Sequence, residues 1–149
     1  MKRFVLLALS AVLLSSCGPS RLYYWGSNPA SDNGTSKYEQ LAYKHYDTQT
    51  PEAICELLCV YEDMVSHPGG KRGVVPPGIC AEYGFLLLQP ETATNFAAYA
   101  TAGQKRKFDS GDYSMSFREK GLKLLQMEME LYPESKAFIG PLLQTLSNR

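Results

Sequence analysis

Between Thr50 and Gly70 the chain carries both ends of a helix and the apolar stripe between them. Thr50-Pro51-Glu52 supplies a capping hydroxyl, a proline whose missing N–H is harmless in the first turn, and an acid at the positive end of the helix dipole. Ile54, Leu57, Leu58, Tyr61 and Val65 then recur at helical spacing. His67-Pro68-Gly69-Gly70 cannot continue the pattern. A helix over residues 51–66 is therefore predicted, and its stripe must be covered by another element. Tyr38, Leu41, Ala42 and Tyr46 predict a preceding helix over residues 37–48, and the short connection makes the two an antiparallel hairpin. Glu52, Glu56 and Glu62 read as the solvated face of the second helix.

Further along, Val74-Val75-Pro76-Pro77-Gly78 opens a third helix whose buried face is marked by Ile79, Tyr83, Leu86 and Leu87. Gly84 lies inside it. A mid-helix glycine costs up to about 1 kcal/mol relative to alanine, so its presence points to close approach of a neighbouring helix. Ala93, Phe96, Ala97 and Ala100 predict another amphipathic helix, followed by Gln104-Lys105-Arg106-Lys107 and the turn Asp109-Ser110-Gly111-Asp112. The basic cluster reads as a solvated helix end, with contact to acidic lipid or a partner surface as the second reading. Two last helices are expected over residues 116–131 and 135–146, with Tyr132-Pro133-Glu134-Ser135 as the corner between them. The fold class expected is all-α.

The N-terminus is organised differently. Lys2 and Arg3 precede the apolar run Phe4 to Leu14, which is followed by Ser15, Ser16 and Cys17. These are the basic, hydrophobic and small-residue parts of an export signal. The apolar run of about 11 residues is short of the roughly 20 that span a bilayer. The stretch resembles a bacterial lipoprotein signal with its lipobox, which implies diacylation (palmitate-type chains) on Cys17, cleavage before it and further acylation of the new N-terminus. Several acyl chains anchor far more firmly than one. Gly18 in place of the Asp that retains many lipoproteins in the inner membrane implies transfer to an outer membrane; that residue does not set the leaflet, and a lipid-anchored protein facing the periplasm is the expectation. The expected organisation is a signal peptide over residues 1–16, a lipidated polar tether with an aromatic motif over 17–36, and a helical domain over 37–149. In the tether, Leu22-Tyr23-Tyr24-Trp25-Gly26 holds the only tryptophan of the chain, expected to dock on the domain or to sit at headgroup level.

After cleavage about 133 residues remain, enough for one modest core. Loss of Lys2 and Arg3 leaves 13 basic against 15 acidic residues, so nucleic-acid binding is disfavoured for want of a basic excess. Cys55, Cys59 and Cys80 are an odd set in a compartment that permits disulfides. Small buried thiols are the leading reading; Cys55 and Cys59 share one helix face with poor bridging geometry, so the second reading is a bridge from either to Cys80, such as Cys59 to Cys80. No metal site is expected, since only His45 and His67 are on offer and C-x-x-C spacing is missing. No catalytic residue is assigned: there is no G-x-S-x-G, H-E-x-x-H or glycine-rich phosphate loop. No cofactor is implied.

Gly84, Gly121, Leu125 and Pro133 resemble the small, large and closing positions of a tetratricopeptide repeat (TPR). In such a repeat about 24 residues separate glycine from proline, whereas here 49 do. An insertion over about residues 90–115 follows from that comparison. With Leu22-Tyr23-Tyr24-Trp25-Gly26, the run Val75-Pro76-Pro77-Gly78-Ile79-Cys80-Ala81-Glu82-Tyr83-Gly84, and Leu131-Tyr132-Pro133-Glu134-Ser135 in this order, the chain resembles the small bacterial lipoprotein family catalogued as domain of unknown function 4810. The resemblance implies a lipid-anchored, TPR-like protein, often encoded beside a lipoprotein similar to the curli-secretion pore, and thus a pore-associated envelope partner. Trp25, Pro76, Pro77, Gly78, Gly84 and Pro133 are its motif positions. The function expected is a non-enzymatic protein-contact or assembly role at the outer membrane. The alternative is a lipid or small-molecule carrier with residues Phe117 to Leu131 lining a cavity.

Overall fold

A computed structural model describes residues 21–27, 34–108 and 111–147. Among them every regular element is helical: α1 (Lys37–Thr48), α2 (Pro51–Ser66), α3 (Ile79–Leu87), α4 (Thr92–Tyr99), α5 (Ala102–Lys105), α6 (Tyr113–Leu131) and α7 (Lys136–Ser147), with 3-10 turns at Arg106–Phe108 and Pro133–Ser135. The fold is all-α. Local chemistry sets the ends. Ser36 and Glu39 form a reciprocal capping box at the start of α1, and Thr50 accepts the Ala53 N–H at the start of α2. α6 begins at Tyr113 rather than Ser116, because Asp112 caps it by accepting from the Ser114 and Met115 N–H groups at 2.9 and 3.3 Å.

α2 is the central element. Ala53, Cys55, Leu57, Leu58, Val60, Tyr61 and Met64 are all buried, too many for one stripe, since α1, α3, α4 and α5 each pack on it. Of the solvated acidic face expected of this helix, Glu52 is exposed and Glu56 pairs with Lys44 at the surface (2.6 Å), but Glu62 is corrected: its side chain is 15 % exposed and closes on Lys120 of α6.

α3 and α6 run antiparallel, as their register shows: Gly78 meets Glu128, Gly84 meets Gly121 and Leu124, and Leu88 meets Gly121. A Cβ on Gly84 would stand 2.8 Å from the Gly121 carbonyl oxygen, and one on Gly121 would stand 2.9 Å from that of Gly84. The glycines thus let the two backbones touch.

The stretch around residues 90–115 supplies core. Thr92 and Phe96 of α4 are buried, and the Phe96 ring packs edge-on against Phe108, Tyr113 and Phe117 with centroids 4.7, 5.1 and 5.3 Å away. Edge-to-face clusters of this kind add to the area they bury.

Candidate functional site

Cys17, the expected lipid-attachment residue, lies outside the described residues. Residues 21–26 are not a free tether. The Tyr24 N–H donates to the Gly69 carbonyl (3.2 Å), while the Arg21 and Leu22 carbonyls accept from Lys71 and Arg72 (3.2 and 3.0 Å). The Tyr24 hydroxyl donates to Asp63 at 2.7 Å. Trp25 packs on Tyr38 with centroids 5.6 Å apart and receives Tyr23 edge-on at 6.5 Å. The tether expected over residues 17–36 is corrected for this part, which belongs to the folded domain. Gly69-Gly70, legible only as a helix stop, is the seat on which it docks.

The three sequence blocks converge here. Burial and the neighbouring Tyr23 push the Tyr132 phenol up, and the Tyr132 hydroxyl donates to the Val75 carbonyl at 2.5 Å. Pro133 starts the adjoining 3-10 turn. Pro76 is buried, Pro77 is exposed, and the Gly78 N–H donates to Glu128 Oε1 at 2.8 Å. That carboxylate is 2 % exposed and sits at the positive end of α3.

Beside this surface runs a polar ladder that periodicity alone did not reveal, buried at Tyr61 and Tyr83 and open to solvent at Glu82. The Tyr38 and Tyr61 hydroxyls both donate to Glu82 Oε2, at 2.5 and 2.8 Å. Tyr61 stacks on Tyr83 (5.4 Å), whose hydroxyl donates to Glu62 Oε2 at 2.6 Å. The Lys120 ammonium closes on the same oxygen and lies 5.7 Å from the Tyr83 ring centre. Burial alone would raise the Glu62 carboxyl, but hydrogen bonds from Lys120 and Tyr83 and the Lys120 charge hold it below its usual value. Burial, with the adjacent carboxylates, pushes the Tyr38, Tyr61 and Tyr83 phenols up, so they act as neutral donors.

Cys55, Cys59 and Cys80 are free thiols, and the bridge considered between Cys59 and Cys80 is not formed. Cys59 lines a surface groove of about 660 Å³ with Lys37, Glu56 and Lys107, whereas buried Cys80 is next to Glu128. Burial pushes Cys55 up to about 11 and Cys80 up to about 12. Neither is activated as a thiolate nucleophile at neutral pH. Of the basic cluster, Lys105 is tied to the Ala97 carbonyl at 2.6 Å, and Lys107 borders the groove. Among the described residues no group of three His, Cys, Asp or Glu is placed to hold a metal ion, and no helix is long and apolar enough to cross a membrane. Phe117, Leu124 and Leu125, considered for a carrier cavity, are buried in the protein core.

α7 leaves much of its apolar surface uncovered. Of its apolar residues Ala137, Phe138, Ile139, Leu142, Leu143 and Leu146 only Ile139 is buried, and Phe138 is 82 % exposed. Comparison with protein-family models, with curated proteins and with solved structures finds no match for the chain.

Proposed function

We propose that this chain is an outer-membrane lipoprotein, anchored through acyl chains on Cys17, that acts without catalysis as a protein-contact or assembly component of an envelope complex. The observation that carries the reading is α7, an apolar helix with only Ile139 buried and with Phe138 82 % exposed. Apolar surface of that kind marks contact sites on soluble domains. The raised Cys55 and Cys80 thiols and the carboxylates engaged by tyrosine and lysine speak for structural rather than catalytic use of these groups. The Gly84–Gly121 contact supports a TPR-like helix pair, with residues around 90–115 packed as part of its core rather than as a separable insertion. Helix pairs of that type present faces suited to a partner helix or peptide. The family resemblance adds a curli-secretion-pore-like lipoprotein as the partner to look for first.

A photo-crosslinking residue at Phe138, used in intact cells and followed by mass spectrometry, tests the reading. A reproducible adduct with one envelope protein is expected. Recovery of the uncrosslinked monomer alone would overturn it.

A further inference from the structure

The docked N-terminal segment fixes how far the folded domain can stand from its anchor. Arg21 is four positions after Cys17, and extended chain advances at most about 3.6 Å per residue, so Arg21 is held within about 14 Å of the proposed acylation site. Arg21 is not at the end of a loose strand: its carbonyl is bonded to Lys71 N–H, and the next carbonyl to Arg72 N–H. Acylation of Cys17, as proposed above, would therefore bring the membrane surface close to this edge of the domain.

We infer that the edge formed by Leu22, Lys71 and Arg72 is the membrane-facing side of the protein, with the two cations against the headgroup phosphates of anionic phospholipid and Leu22 entering the interface. The inference rests on the proposed acylation of Cys17. Its chemistry is on the surface: Leu22 is 55 % exposed, and Lys71 and Arg72 are both exposed beside it. Arg72 is held in place by Tyr23, its Nη1 donating to the phenol oxygen at 3.1 Å with the guanidinium 5.6 Å from the ring centre. The nearby carboxylate of Asp63 accepts from Tyr24 and faces His67 Nδ1 at 3.4 Å. An exposed leucine flanked by cations suits the boundary between acyl chains and anionic headgroups, and the attraction acts within a Debye length of about 8 Å.

The mature acylated protein, reconstituted in phosphatidylcholine vesicles with or without phosphatidylglycerol, carries its own probe in Trp25. Quenching of Trp25 by headgroup-spin-labelled lipid should rise about twofold when phosphatidylglycerol is present. Lys71→Glu, and independently Leu22→Ser, should bring it down toward the phosphatidylcholine level with an unchanged thermal midpoint. Equal quenching in both vesicles, or no response to either substitution, overturns the orientation. The mass of the N-terminal lipopeptide separates the two layers. Acylated Cys17 with indifferent quenching removes the orientation and leaves the anchor standing, whereas unmodified Cys17 removes both.

Discussion

A methyl group at Gly70 would stand 2.6 Å from the Leu22 carbonyl oxygen, on a backbone already at φ +79°. Neither the conformation nor the space admits a side chain without moving the docked segment. Gly70→Ala is expected to cost about 2–3 kcal/mol in urea unfolding and to shift Trp25 emission to the red, because the Tyr23 to Trp25 segment leaves its seat. Gly84→Ala belongs to the same class through the 2.8 Å approach to Gly121, with a cost of about 1–3 kcal/mol but no change at Trp25. Glu62 makes a residue-scale prediction in pH. Its folded carboxyl is held below the usual value, so its contribution is present above the unfolded value and is lost as pH falls through the folded one. Lys120→Met leaves a carboxylate with 15 % side-chain exposure facing only Tyr83 and Ser66, which should cost about 2 kcal/mol at neutral pH. Burial then acts on Glu62 without the lysine to offset it, so the variant should lose less stability than the parent between pH 7 and pH 4. Urea midpoints at the two pH values check both statements.

At the scale of elements, what could be read from sequence and what could not divide along a physical line. α1, α2 and α3 were legible because caps, proline positions and apolar spacing are local signals, and the observed spans are Lys37–Thr48, Pro51–Ser66 and Ile79–Leu87. Gly84 was legible as a close approach, since a glycine inside a helix has few other uses. Burial on more than one face of α2 was not legible: a stripe shows where one neighbour lies, and α2 has several. Glu62 was misplaced for that reason. Docking of the aromatic motif was legible as an expectation, but its seat was hidden, because it is made by backbone hydrogen bonds to Gly69, Lys71 and Arg72, which leave no mark on side-chain pattern. The stretch over residues 90–115 looked like an addition between two repeat helices, yet Phe96 is wholly buried. Deleting residues 91–113 should therefore abolish cooperative unfolding rather than trim a loop. The milder Phe96→Ala should cost about 3–5 kcal/mol by urea unfolding, and a variant as stable as the parent would return the segment to the periphery.

For the molecule as a whole, the proposed anchor and the exposed helix set a geometric division of labour. Residues 21–26 are fastened to α1, α2 and the loop after α2, whereas α7 packs chiefly on α6 and the turn before it. A partner recognised through α7 would be bound by a surface contributed by the last helix, with its position set by the first docked segment. Ile139 and Phe138 are neighbours in sequence with opposite environments, 7 % and 82 % exposed, and they separate folding from contact. Ile139→Ala should cost about 2–4 kcal/mol and weaken any crosslink only by unfolding the helix. Phe138→Glu removes no buried contact, so it should change stability by less than about 0.5 kcal/mol while placing a charge where an apolar contact is proposed. Thermal melts together with crosslinking from a second α7 position, Thr145, in intact cells decide the matter. An unchanged melt with loss of the envelope adduct assigns α7 to the partner, and an adduct that survives Phe138→Glu places the contact elsewhere on the molecule.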